Sequence, residues 1–288
     1  MKRLLSSIVV AGLLVTTSLA TDTKTNNVTH NAVVKAQTKA QNKELIDGAL
    51  KALKDTQQAV IALNKKDILK AKQFLKEAIG EFTLVLNSPN PPYLLPIDIN
   101  VETYEYLGDI LNISKQIKDA KVALAKNNLP LAREILNSLK SEIDIKAVNI
   151  PLATYPQAIK LAVKYLNENK ITEAKDVMMM ALNTLVTTDT IIPIPLIKAN
   201  ELVIQASKIA HKDKKQTLKY LSEAKQQLKI SRLLGYSSKS DTTYKMLKDS
   251  IENIENKLNH NKNTDSLFDN LKAKLKDFKE KAVSIISK

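Results

Sequence analysis

Apolar residues recur along most of the chain at three- and four-residue intervals, the period of an amphipathic helix. Ile46, Ala49, Leu53, Val60 and Leu63 fall on one stripe. Ile68, Ala71, Leu75, Ala78 and Phe82 form a second, with Asp67 placed to cap its N-terminus. Tyr104, Leu107, Leu111, Ile117, Ala120 and Leu124 form a third. Tyr244, Leu247, Ile251, Ile254 and Leu258 keep the spacing. A polar run from His260 to Asp265 interrupts it, and Phe268, Leu271, Leu275, Phe278, Ala282 and Ile285 resume it. These last two stripes are narrow, as in helices that pack like a coiled coil.

A repeat runs beneath the periodicity. NKKDILKAKQFLKEA (64–78), KNNLPLAREILNSL (126–139) and NENKITEAKDVMMMA (167–181) each set a polar turn before an alanine: Ala71, Ala132 or Ala174. Apolar residues follow four and seven positions later, on the same helical face. A small residue at the start of a helix lets the preceding helix approach closely. The alanines are 61 and 42 residues apart. That is too irregular for a solenoid and fits helix pairs with insertions. Pro130 falls where a first-turn proline is tolerated.

Eight of the nine prolines fall in three zones, 89–96, 151–156 and 193–195. Beside each zone the period drops to two. Ile97, Ile99 and Val101 alternate with polar residues, as do Ile143, Ile145 and Ala147; Ile192, Ile194 and Leu196 alternate with prolines. Alternation marks a half-buried extended segment, and proline restricts it to a sheet edge or an unpaired path. NPPYLLPIDI (90–99) therefore reads as a helix terminator followed by such a segment. The expected fold is mainly α. It has antiparallel helix pairs, two or three short extended segments that meet as a sheet or run as struts, and a helical C-terminal extension.

The N-terminus changes the picture. Lys2 and Arg3 precede an apolar run from Ile8 to Val15 and then Ser18-Leu19-Ala20, the layout of a signal peptide cut after Ala20. The expected organisation is a signal peptide (1–20), a flexible leader (21–40), a helical domain (41–235) and an amphipathic, coiled-coil-like extension (236–288), working in the periplasm. The net charge is +14, and nine Lys or Arg against two acids lie between 208 and 239. This basic stretch is read as a solvated helix face or a contact with an anionic membrane surface. An exported chain meets little nucleic acid, and with 4% aromatic residues there is no stacking platform for single strands. Five glycines leave little for phosphate-cradling loops, and there is no cysteine.

Candidate chemistry is sparse. His30, His211 and His260 are far apart, so no metal or cofactor is expected. Asp98, Glu102, Glu105 and Asp109 form the one polar constellation, interleaved with Tyr104 and Tyr106. Read on a helix, Glu102, Glu105 and Asp109 share a face. Such carboxylates form a solvated acidic face, contact a cationic ligand, or do acid–base work. If the extended segments converge, Tyr93, Asp98 and Tyr155 approach the same region; tyrosine suits amphipathic ligands. Alternatively, Tyr155 staples a helix entry.

The run from about 40 to 210 resembles the YfdX family of bacterial exported proteins. The residues that carry this are PIDI (96–99) with Gly108-Asp109, SEIDI (141–145), PLATYPQAIKLA (151–162), EAK (173–175), ALNTLV (181–186) and PIPLIKA (193–199). The resemblance implies a helix-rich, stress-associated envelope protein with no catalytic residues to carry over. The expected function is non-enzymatic: binding or chaperone-like engagement of an amphipathic small molecule, a client protein or a membrane, in a homo-oligomer. A structural, oligomer-forming envelope protein is the alternative, and a hydrolase with a carboxylate site a weaker one.

Overall fold

The computed structural model describes residues 23–41, 47–89, 91–236 and 242–284. After α1 (Thr23–Gln41), the chain three times makes two helices and then a strand. The units are α2 (Asp47–Asn64), α3 (Ile68–Leu86) and β1 (Leu94–Tyr104); α4 (Ile110–Ala125), α5 (Leu129–Ser138) and β2 (Glu142–Pro151); and α6 (Tyr155–Asn167), α7 (Ile171–Leu182) and β3 (Val186–Pro193). Four helices follow: α8 (Ile194–Ile209), α9 (Lys214–Leu233), α10 (Thr242–Asn259) and α11 (Asp265–Ser284). The mainly α expectation holds. The expected signal peptide, Ile46, Asn90 and Ile285 lie outside the described residues.

One turn builds all three helix pairs. Lys66, Asn127 and Asn169 take positive φ values of 63°, 55° and 57°. Their amides bond back to the carbonyls of Leu63, Leu124 and Leu166, and the next amide in each bonds to Ala62, Ala123 or Tyr165. These bonds satisfy carbonyls that the helix end would otherwise leave bare. Asp67 and Asn128 then cap the second helix, accepting from the amides of Lys70 (3.0 Å) and Leu131 (3.2 Å). Ala71, Ala132 and Ala174 are buried at 0–1% exposure, as the repeat implied.

The three strands form one antiparallel sheet in the order β1-β2-β3. Pro96 sits at a register shift in the edge strand β1, and Pro151 and Pro193 end their strands. The third alternation needs correction: Ile194 and Leu196 belong to α8, not to a strand. Pro193 is extended and Pro195 occupies the first helical turn, so the proline pair starts a helix. The strand is the more polar VTTDTIIP before it.

Two large cores result. In one, α2 and α3 pack against α7 and α6, joined by Leu95, Ile97 and Ile150 of the sheet. In the other, Leu202, Leu221 and Leu228 of α8 and α9 meet Leu247, Ile251, Phe268 and Leu271 of α10 and α11. The tail's apolar stripe from Leu247 to Leu275 is thus covered within the chain. A smaller cluster joins Val33 of α1 to Ile143, Ile194 and Ile197.

Two further expectations change. The leader 21–40, read as flexible, holds helix α1, which packs on α8 and β1. Its buried stripe is Thr25, Thr29 and Val33, so threonines hide the helical period. The third stripe breaks because Tyr104 ends a strand and the helix begins only at Ile110. Asp109 caps it through the Asn112 amide at 2.7 Å. Ile113, Ala120 and Ala123 are the residues α4 buries, while Leu107 and Leu111 stand in solvent.

Candidate functional site

The residues singled out in the sequence separate into distinct environments. Glu102, Glu105 and Asp109 share no helical face: Glu102 lies in β1, Glu105 in the following loop, and Asp109 is a cap. Glu105 is taken by Lys198 at 2.6 Å. Tyr155 is fully buried, with its ring 5.5 Å from that of Phe82. Burial pushes its hydroxyl up to about 12, with Thr56 pulling the other way. It packs a helix entry below the surface. Tyr93 is exposed just before β1, and Asp98 is exposed opposite Val148. Asp98 and Tyr104 are six strand positions apart, roughly 20 Å.

Only Glu102 and Tyr104 come together. The Tyr104 hydroxyl donates to Glu102 at 2.6 Å. That bond, helped by Asn100, holds the Glu102 carboxyl below its ordinary value, and the same bond raises Tyr104. Across the sheet, Tyr104 faces Glu142 and Glu102 faces Asp144. Side chains alternate along a strand, so these four share one face of the sheet.

That register assembles a polar cluster. Lys140, in the turn before β2, lies 3.2 Å from Glu142 and 3.5 Å from Asp144, and its Nζ is 4.9 Å from the centre of the Tyr104 ring. Glu142 is 5% exposed, low for a carboxylate, and is satisfied twice. Besides Lys140, it accepts the hydroxyl of Tyr236 at 2.6 Å. The same hydroxyl accepts from the Ser141 amide at 3.0 Å. Burial, then Glu142, pushes the Tyr236 hydroxyl far above its ordinary value. Burial pulls Lys140 down, but Glu142 and Asp144 outweigh it and hold the amine above its ordinary value. Burial, then Glu142, raises Asp144. Lysine and tyrosine therefore both keep their protons at neutral pH.

Beside this cluster a groove of about 280 Å³ opens between α4, α5 and the end of α9. Ile117, Leu136, Leu139, Leu233 and Leu234 line its apolar part, and Lys140, Glu142, Tyr236 and Asn137 its polar part. An apolar wall with a few convergent polar groups is the usual make-up of a small-molecule site. Among the described residues, no group of three or more acidic or histidine side chains could hold a metal ion, and no helix is long and apolar enough to cross a membrane.

Sequence reasoning missed Lys140, Glu142, Asp144 and Tyr236 as a site. SEIDI carried a signal, since Glu142 and Asp144 alternate with Ile143 and Ile145 and had to share the polar face. Tyr236 carried none: its partner is 94 residues away.

No curated protein matches the sequence. Among solved structures, YfdX of Salmonella Typhi is similar at 16% identity, over 54% of this chain and 96% of that one, with a TM-score of 0.36. The family model described as YfdX protein matches residues 52–191. That stretch runs from within α2 to near the end of β3, almost the whole span of the three helix–helix–strand units. Residues 52–191 of this chain belong to the YfdX family.

Proposed function

We propose that this is a non-enzymatic, exported binding protein, and that the groove between α4, α5 and α9 takes the apolar part of a small amphipathic molecule. The groove carries the reading: its wall is apolar, and its polar floor is a cluster whose lysine and tyrosine stay protonated at neutral pH. The Lys2-Arg3, Ile8–Val15 and Ser18-Leu19-Ala20 pattern supports export to the periplasm. Chaperone-like service to client segments is the same activity on a larger ligand.

The test is calorimetric titration of the full chain with dodecyltrimethylammonium and, separately, dodecyl sulfate, both below their micellar concentrations. At least one should bind saturably at one site. Leu136→Glu, a change at a half-exposed wall residue, should weaken that binding roughly tenfold or more. Saturable binding that Leu136→Glu leaves unchanged would move the site elsewhere. No binding of either probe would remove the assignment.

A further inference from the structure

The three helix pairs are equivalent, but they are not equally covered. Under the 61- and 42-residue offsets, Leu124 corresponds to Leu63 and Leu166, and Leu136 to Leu75 and Met178. Those four counterparts are 0–6% exposed, whereas Leu124 and Leu136 are 49% and 48% exposed. The reason is packing. The first and third pairs bury these positions against each other, α3 on α6 and α2 on α7. Among the described residues, the middle pair makes no comparable contact with either other pair; α4 packs on α5 and touches α9. Leu129, at 54%, extends the open strip.

We infer that this open face of α4 and α5 is a docking surface for an amphipathic helix of another protein with acidic residues beside its apolar stripe. The sister pairs show what the face accepts, since each presents the same positions to helices. Seven-residue spacing, Ile117 to Leu124 and Leu129 to Leu136, matches two turns of such a partner. The charge comes from the rim. Lys121 stands where the sister pairs have Val60 and Val163, and it neighbours Leu124 at three residues' spacing. Arg133 lies between Leu129 and Leu136 on the same helix. Neither makes an ion pair among the described residues. From 110 to 138 there are five basic residues against Asp119 and Glu134, so a second copy of the face would meet like charge. This surface adjoins the small-molecule groove and shares Ile117 and Leu136 with it, but Leu124 and Leu129 lie outside the groove, so changes at those two report on the docking surface alone.

The experiment measures fluorescence anisotropy of two labelled helical peptides of about 18 residues, roughly five turns. Both have the same leucine stripe; one has glutamates beside it and the other lysines. The glutamate peptide should bind the full chain, and more weakly as salt rises to about 0.5 M. Leu124→Asp and Leu129→Asp, at half-exposed positions, should each cut binding roughly tenfold or more. Lys121→Glu should shift preference towards the lysine peptide, and it stays informative if an aspartate variant fails to fold. Failure of the glutamate peptide to bind, equal binding of both peptides, or indifference to Lys121→Glu would overturn the inference. So would a dimer in light scattering that Leu124→Asp abolishes, which would give the face to a second copy. Capture of the chain by phosphatidylglycerol vesicles through Leu124 and Leu129 would give it to a membrane and overturn the inference as well.

Discussion

Gly80 and Gly108 are both glycines near exposed surface, yet they have opposite roles. Gly80 lies inside α3, and a Cβ added there would meet nothing within 4 Å. Gly80→Ala should therefore stabilise the protein by about 0.5–1 kcal/mol, because alanine loses less backbone entropy in a helix. A thermal melt showing no gain would mean that α3 is frayed there. Gly108 instead lies under Tyr106: a Cβ would stand 2.6 Å from a ring carbon. Gly108→Ala should displace that ring, break its hydroxyl's bond with Gln116 and cost about 1–3 kcal/mol. The Gly108-Asp109 pair thus earns its place twice, as a close approach and as a helix cap. Tyr155→Phe gives the third contrast. The hydroxyl is buried with only the weak pull of Thr56 on it, so its removal should leave stability within about 1 kcal/mol. Binding in the groove should not change. A loss of affinity in Tyr155→Phe would return this residue to the site.

At the scale of elements, legibility followed the local signals. The helix pairs could be read because each is written by a short local code: a polar turn and an alanine, with a side-chain cap in the first two. Strand β2 could be read as extended because Ile143 and Ile145 alternate with acids, but its pairing into a sheet stayed open beside unpaired struts. What failed was phase. Nothing local in VETYEYLGDI says that the strand ends at Tyr104 and the helix waits until Ile110, so three carboxylates were put on one helical face. Helix α1 failed differently, because Thr25 and Thr29 take core positions that a hydrophobic count passes over. The alanine code itself can be tested. Ala174 is fully buried, and Ala174→Leu adds three carbons where helix α7 meets its neighbours. The expected cost is about 1–3 kcal/mol by overpacking. An unchanged melting temperature would mean that the α6–α7 contact can open without loss.

For the whole molecule, the decisive feature is how distant segments share cores and charges. Helices α10 and α11 cover Leu202, Leu221 and Leu228, so removing 241–288 would bare a core rather than free an appendage. Two aspartates, the buried Asp55 and the partly buried Asp144, sit in the same crowded interior. Burial, then Glu77, raises Asp55 against the pull of Lys51; burial, then Glu142, raises Asp144 against the pull of Lys140. One oxygen of each is buried without a hydrogen-bond partner. A carboxyl raised in the fold binds its proton more tightly folded than unfolded. The folded state therefore holds more protons from the ordinary aspartate value up to the raised one, and stability falls as pH rises through that window. Above the window the full penalty remains; below the ordinary value it vanishes. Asp144→Asn keeps the shape and an acceptor for Lys140 while removing the charge. It should raise the melting temperature at pH about 7, and the gain should shrink to nothing by pH about 3.5. Melts across that range for wild type and variant decide the matter. A gain that stays constant with pH would come from packing rather than ionisation, and a loss at neutral pH would show that the charged Asp144–Lys140 pair stabilises the site it borders.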